Sequence, residues 1–277
     1  MTYLVLAVLS SAGISLVMRL SVDHVHNHLT MLAAGYLSCT ALAVLHTGLG
    51  GFSLQSGGLP MTLALAVVAG FLLLAGFVCL QYNTQHNGVV LSGIFSKLGV
   101  LVPTVISVVI FAEKPTLVQA IGFLLAIAAI FLMNGEKSAQ KAGSRTALLL
   151  LLLTNGMADS MSKIYDELGT ASLQELYLLL AFFFAFVLCT ALAIHKKQGL
   201  TANDVVYGLL LGIPNYYSAR FLIKALGTIP AVVAYPSYSV ATMLAVTALG
   251  VFAFREKLSR RQLSALAVIL AALVLLN

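Results

Sequence analysis

GVVLSGIFSKLGVLVPTVISVVIFAEKP, residues 88–115, is the stretch that decides the fold of this chain. It is a long apolar segment that ends at Glu113-Lys114-Pro115 and is followed by a second apolar segment ending at Asn134. The pattern returns at residues 231–258 as AVVAYPSYSVATMLAVTALGVFAFREKL, which is followed by a last apolar segment to Asn277. Self-similarity at a fixed spacing, here 143 residues, indicates a duplicated unit and in a membrane protein is typical of transporters.

Composition places the chain in a membrane. It is 60% hydrophobic and only 9% charged, with a mean hydropathy of +1.02, whereas soluble domains carry about 25% charged residues. Since a span needs about 20 apolar residues, the sequence predicts about ten helical spans and an all-α, polytopic protein. The predicted spans are 2–20, 30–48, 60–82, 88–112, 116–134, 146–164, 173–194, 203–226, 230–254 and 259–276.

Several classes of partner are excluded by the same composition. The net charge of +6 arises mainly from Lys and Arg at the ends of apolar segments, where they set membrane orientation, so we predict no nucleic-acid partner. No phosphate-binding GxxxxGK[ST] motif is present, and the three cysteines lack CxxC spacing. His24, His26 and His28 alternate in a loop but have only Asp23 nearby. We therefore expect neither a metal site nor a cofactor, and no cleaved leader peptide.

The duplication divides the chain into two units. Residues 1–134 form a first repeat of five spans, residues 135–144 a polar linker, and residues 145–277 a second repeat of five spans. Because five is odd, the second repeat must enter the membrane from the side opposite to the first. The sequence therefore predicts a 5+5 inverted-topology repeat.

This plan resembles the EamA-type branch of the drug/metabolite transporter superfamily. The resemblance rests on ten spans in two fives and on the Phe-x-Glu-Lys that ends the fourth and ninth spans, at Phe111 and Phe254. It implies a secondary transporter in the cell membrane whose cavity is lined mainly by spans 1, 3, 4, 6, 8 and 9. It also implies a proline in the fourth span, matched by Pro103, whereas Pro236 lies earlier in the ninth. Members are commonly drawn with both termini in the cytoplasm, but the distribution of Lys and Arg here predicts the reverse.

Polar stripes in two spans are the first candidates for substrate binding, because ionisable groups inside a bilayer are costly and are functional candidates by default. The stripe in span 146–164 is Asn155, Asp159 and Lys163. The stripe in span 203–226 is Tyr216, Arg220 and Lys224, with Tyr217 beside them. The corresponding positions of the first repeat lack these charges, which favours a role in substrate binding. We expect Asp159 and Arg220 to face each other or a common cavity, and Lys163 and Lys224 to extend toward the membrane surface.

Two further groups complete the predicted site. Ser96 and Lys97 lie within the fourth span, where Lys97 either faces a cavity or extends toward the surface. Tyr235 and Tyr238 flank Pro236 in the ninth span, where a proline leaves a backbone carbonyl without its helical donor. These tyrosines either bind a ligand or pack as part of an interfacial aromatic belt.

The sequence favours a secondary active transporter of a small organic metabolite, with lipid and a coupling proton or ion as other partners. An amino acid or another carboxylate- or phosphate-bearing solute fits a cavity with Arg220 and Lys97 beside Asp159. Export of cationic drugs or amines, held by Asp159 and the tyrosines, is the alternative within transport. An intramembrane enzyme is a distant one, because no histidine lies deep in a predicted span. We predict that the protein is not an enzyme.

Overall fold

The structure is a computed structural model that describes residues 1–47, 58–87, 89–134, 144–254 and 260–276, and this described part contains no strand. The helices are α1 (Thr2–Ser21), α2 (His28–Thr47), α3 (Leu59–Asn87), α4 (Val89–Leu98), α5 (Leu101–Val109), α6 (Leu117–Asn134), α7 (Arg145–Leu168), α8 (Gln174–His195), α9 (Ala202–Leu226), α10 (Ala231–Phe254) and α11 (Arg260–Leu276). Most of the predicted linker, 135–143, and the second Glu-Lys turn, 255–259, lie outside the described residues.

Five described helices are long and apolar enough to cross a membrane, namely Thr2–Ser21, His28–His46, Leu59–Asn87, Ala171–His195 and Ala231–Phe252. Phe95–Val109, Leu117–Leu132 and Leu263–Leu276 are shorter apolar helices. α7 and α9 are also long enough to cross a membrane, but their polar stripes lower their mean hydropathy. The all-α, multi-span class predicted from composition is therefore confirmed.

Contacts between turns fix the direction of the helices. The turn before α3 lies beside Thr170, after α7, and the turn after α5 binds the start of α10. The end of α11 packs on Gly122, near the start of α6. We call this the terminal end of the bundle, because α1 begins and α11 ends there. The opposite end, where α6 ends and α7 begins, is the linker end. With α4 and α5 taken as one crossing, successive helices run in alternating directions.

The linker end is held together by a buried carboxylate. Asp204, in the first turn of α9, accepts hydrogen bonds from the backbone N–H of His26 (3.1 Å) and the side-chain amide of Asn27 (2.9 Å). Gln198 accepts from the N–H of Leu29 at 3.2 Å. The loop between α1 and α2 is thereby tied to the loop between α8 and α9. No group of three His, Cys, Asp or Glu side chains able to hold a metal occurs among the described residues.

The predicted span 88–112 is not one helix but two, and this corrects the sequence interpretation. Pro103 has no N–H to donate to the carbonyl of Gly99, which instead accepts from Val102 at 2.9 Å. The N–H of Gly99 bonds to Ser96 O at 3.2 Å, a tighter turn than an α-helix makes. α4 therefore ends at Leu98 and α5 begins at Leu101.

A close helix crossing stabilises this break. A Cβ placed on Gly156 of α7 would lie 2.5 Å from the carbonyl oxygen of Gly99 and 2.5 Å from Val102 Cγ2. Only a glycine at position 156 allows this approach. The crossing brings the end of α4, with Ser96 and Lys97, against the middle of α7.

Candidate functional site

A cavity of about 260 Å³ lies midway along the bundle, between α1, α3, α4, α7 and α10. Six residues that the sequence singled out line it together: Ser96, Lys97, Asn155, Asp159, Tyr235 and Tyr238. The fourth and ninth predicted spans and the first polar stripe therefore meet in one place. Three further polar residues also line the cavity: Ser11, Ser239 and Thr242.

Lys97 and Asp159 are the two charged side chains of this cavity. Both lie near the middle of the bundle, yet both are exposed to the open space of the cavity. Their charges act on one another, but among the described ion pairs within 4.0 Å none joins them or engages either one. The cavity thus presents one cation and one anion, each with its polar atoms open to a ligand.

Contacts between neighbouring residues hold α4 and α7 together beside these two side chains. Asn155 donates a hydrogen bond to Ser96 Oγ at 2.8 Å and so ties α7 to α4 one turn from Asp159. Gly76 of α3 makes room for Asn155, since a Cβ there would lie 2.4 Å from the amide oxygen. Position 76 needs a glycine, because a larger residue would push Asn155 away from Ser96.

The two tyrosines use their hydroxyl groups in contacts within the protein. Tyr235 donates to the backbone carbonyl of Asp159 at 2.8 Å, which ties α10 to α7. The hydroxyl of Tyr238 lies 2.8 Å from Ser218 Oγ of α9. Both rings are therefore held at fixed positions in the cavity wall.

Thr242 is a site residue that the sequence gave no reason to select, since a lone threonine in an apolar helix usually packs. Its side chain is 2% exposed, and its hydroxyl oxygen has no hydrogen-bond partner within the described part of the chain. A buried polar atom without a partner is costly. Thr242 thus adds a polar residue to the cavity wall, although its hydroxyl oxygen itself is buried.

A second cavity of about 160 Å³ adjoins the first. The two share the wall formed by Leu73, Ala158, Asp159 and Tyr238. The second cavity extends toward α8 and α9, and its surface is mostly apolar. Neither α6 nor α11 contributes to the lining of these two cavities. This arrangement agrees with the set of cavity-lining spans that the resemblance implied, which leaves out the fifth and tenth.

Arg220 is not where the sequence suggested, and this corrects the expected pairing with Asp159. Its guanidinium binds Glu175, in the first turn of α8, with both Nε and Nη2 at 2.7 Å from Oε1. Tyr216 donates to the same carboxylate at 3.2 Å, and Tyr217 packs edge-on against Tyr216. The second stripe faces α8 and α2 because Asn215, Ser218 and Ala219 occupy the face of α9 toward the cavities. None of its members lines either cavity.

The two lysines expected to extend toward the surface also have partners. Lys163 is 4% exposed and forms ion pairs with Glu113, at 2.8 Å, and with Glu167. Lys224 lies 4.0 Å from Glu175 and over the ring of Tyr3. Sequence analysis missed these arrangements because it did not consider the carboxylates near helix ends as partners for the lysines. An acid close to the start of an apolar helix, as in Gln174-Glu175, is the signal that was available.

Glu113 forms a clamp at the terminal end, above the cavity. It lies in a turn where Ala112 adopts a left-handed φ of 54°. Its carboxylate accepts from the N–H groups of Ala231 (3.0 Å) and Val232 (2.8 Å) as well as from Lys163. An anion at a helix N-terminus is favoured by unpaired amides and the helix dipole. One side chain thus joins the turn after α5 to α7 and α10.

Burial alone would raise the pKa of the Glu113 carboxyl, but hydrogen bonds from Lys163 and the two amides hold this pKa below its ordinary value of 4.5. A depressed pKa means that the clamp stabilises the fold fully above the ordinary value and that this stabilisation is lost as the pH falls below it. We expect Glu113→Gln to lower the free energy of unfolding at pH 7 by about 1.5–3 kcal/mol, the worth of hydrogen bonds to a charged group. Thermal unfolding of both proteins from pH 7 to pH 3.5 should show this difference shrinking on acidification.

Glu167→Gln is the matched control for the clamp. Glu167 pairs with the same lysine but is 40% exposed and contacts it along one helix. Such pairs contribute about 0.3–0.5 kcal/mol. Equal losses for the two variants at pH 7, or a Glu113→Gln difference that stays constant with pH, would contradict the clamp.

Comparison with known proteins agrees with this architecture. A solved crystal structure of a protein matches this chain with a TM-score of 0.78, covering 99% of this chain and 94% of that chain at 14% identity. At that identity the likeness concerns the fold alone. An uncharacterized protein of Haemophilus influenzae is 25% identical over 213 residues, which are 74% of this chain and 71% of the relative.

A match to a family model is found in the first part of the chain. Residues 1–135 match the model of the EamA-like transporter family, the same branch that the Phe-x-Glu-Lys turns suggested. This match and the set of apolar helices long enough to span a bilayer agree with each other. Residues 1–135 are thus similar to the EamA-like transporter family, which is consistent with the drug/metabolite transporter superfamily and points to a multi-pass membrane transporter rather than an enzyme.

Proposed function

We propose that this protein is a secondary active transporter that moves a small zwitterionic metabolite, of the amino-acid type, across the cell membrane by alternating access. The observation that carries the proposal is the pair of opposite charges, Lys97 and Asp159, which line a cavity midway along the bundle and form no ion pair within 4.0 Å with the described residues. A charge at membrane depth is costly unless it has a partner. A solute with a carboxylate and an ammonium group would supply a partner to each.

The position of Arg220 sharpens the substrate class. The sequence suggested a cavity with an excess of positive charge and hence any carboxylate- or phosphate-bearing solute. Because Arg220 is bound by Glu175, the cavity is left with one charge of each sign. A zwitterion matches this balance better than a simple anion does.

An inverted repeat is part of the same proposal, and the helix pairings support it. Exchange of the halves replaces α1 by α7, α2 by α8, α3 by α9, α4 and α5 by α10, and α6 by α11. Under this exchange the packing of α2 on α9 becomes that of α8 on α3, and α1 on α10 becomes α7 on α4 and α5. The pairs α2 with α8 and α6 with α11 exchange into themselves. Ser96 and Ser239, which correspond in the two halves, both line the cavity.

Export of cationic drugs or amines is less well supported. Asp159 offers a carboxylate, but the ammonium of Lys97 in the same cavity opposes a purely cationic solute. The tyrosine hydroxyls are already used within the protein. A coupling proton or ion, and termini on the outer side of the membrane, remain predictions from the sequence.

Thermal unfolding of the purified protein with three kinds of solute tests the proposal. We expect stabilisation by amino acids and little by glycerol 3-phosphate or tetraphenylphosphonium, which represent anions and lipophilic cations. A ligand present at 100 times its dissociation constant adds about 2.7 kcal/mol to the free energy of unfolding. Stabilisation by the cation alone would replace the proposal with drug export. Stabilisation by the phosphate alone would replace it with anion transport.

A further inference from the structure

We propose that the second cavity is an apolar subsite for the tail of the substrate, so that the transported solute is amphipathic, with a zwitterionic head at Lys97 and Asp159 and an apolar tail between α8 and α9. This inference rests on the proposed function, since it assigns the head to the first cavity. It adds a position and a size limit for the rest of the molecule.

The geometry follows from the shared wall. Asp159 belongs to both cavities, so a group bound to its carboxylate stands at the opening of the second one. An ammonium group there would direct its own substituent either back toward Lys97 or into the second cavity. The carboxylate of a zwitterion takes the first direction, which leaves the second for a side chain.

The chemistry of the second cavity fits an apolar group. Leu178, Phe182, Leu222 and Ile223 form its far wall, and all four are buried. Ser162, Asn215 and Ser218 add neutral polar groups, and among the described lining residues the shared Asp159 is the one that carries a charge. Apolar pockets exclude charged groups because no hydrogen bond or ion pair offsets the free energy of desolvating the charge. A second charge on the substrate would therefore be rejected.

The volume sets the upper limit of the tail. A dry apolar cavity of about 150 Å³ is known to hold benzene, and the second cavity measures about 160 Å³. A tail as large as an isobutyl group or a single six-membered ring is thus accommodated. A small polar side chain would leave the pocket unfilled, and each missing methylene in such a pocket lowers affinity about tenfold or more.

Binding of L-serine, L-leucine and L-phenylalanine to the purified protein tests the subsite, since these probes share one head and differ in the tail. We expect leucine and phenylalanine to bind at least about tenfold more tightly than serine. Ala219→Leu, which places a larger side chain on the α9 wall, should remove most of this preference while serine affinity stays within about twofold. Ala202→Leu, at an exposed position of the same helix, should leave the preference unchanged.

Phe182→Leu is a second variant that enlarges the pocket and is measured alongside. It should shift the preference toward phenylalanine over leucine. A ratio of leucine to serine affinity that neither variant alters would overturn the subsite. Failure of the proposed function gives a different result, in which Lys97→Gln and Asp159→Asn bind all three probes as the wild type does. Absence of binding by any of the three to the wild-type protein would overturn both.

Discussion

Replacing Asp159 by asparagine or Lys97 by glutamine will lower the affinity for a zwitterionic solute by about 30-fold or more. Each change removes one charge of a matched set in a cavity midway through the membrane and leaves the opposite charge of the solute without a partner. Loss of one partner from a desolvated charge pair costs about 2–5 kcal/mol, and about 1.4 kcal/mol is a factor of ten. The measurement is a binding titration on purified protein, followed by uptake into proteoliposomes.

Two substitutions of the same chemical kind serve as controls. Lys224→Gln and Asp23→Asn remove charges that lie outside both cavities, and both should keep wild-type affinity. The double variant Lys97→Gln/Asp159→Asn separates binding from folding. If the pair only stabilises the fold, the double variant should recover the stability that each single variant loses and should still bind the solute. Wild-type affinity in that double variant would remove both residues from the site.

Gly156→Ala should destabilise the protein by about 1–3 kcal/mol or more, the usual effect of overpacking. The new methyl group would stand 2.5 Å from a backbone carbonyl, which cannot rotate away as a side chain can. α7 and the junction of α4 and α5 would have to separate. Lys97 and Ser96 would then move away from Asp159 and Asn155, so substrate affinity should fall together with the melting temperature.

Gly93→Ala gives the matched control for this crossing. Gly93 lies in α4, and a Cβ at that position meets no atom of the described residues within 4 Å. Alanine is favoured over glycine inside a helix by about 0.5–1 kcal/mol. The two glycine-to-alanine changes should therefore act in opposite directions, with Gly93→Ala neutral or slightly stabilising. A stabilising Gly156→Ala would show that the helices are not in close contact there.

The fold class could be predicted from the sequence because it depends on long segments. Ten apolar segments, their lengths and the recurring Phe-x-Glu-Lys turn are properties of many residues at once, and small errors in single positions do not change them. The break between α4 and α5 was missed because hydropathy is continuous across Gly99 and Val100. Pro103 was the available signal, but its effect depends on a glycine in another helix, Gly156.

The site could be predicted only in part. Asp159 and Lys97 were identified because a charged residue within an apolar segment is visible in the sequence alone. The pairing of Asp159 with Arg220 was wrong because helix periodicity tells which residues share a face but not which helix that face meets. Arg220 forms an ion pair with Glu175 instead, and the position of Glu175 at the start of α8 gave no indication of this pairing. Thr242 carries no sequence signal at all, since only packing shows that its hydroxyl lacks a partner.

The first turn of α10 has a mechanical consequence for the alternating access that we propose. Ala231 and Val232 bind Glu113 at the terminal end of the bundle, and Tyr235, one turn later, binds the backbone of Asp159. One helical turn spans about 5.4 Å and moves as a rigid unit. A tilt of α10 that breaks its hydrogen bonds to Glu113 therefore also displaces Asp159, which lines the cavity. The first turn of α10 therefore connects the turn that contains Glu113 to the cavity, so that a movement at one of them is transmitted to the other.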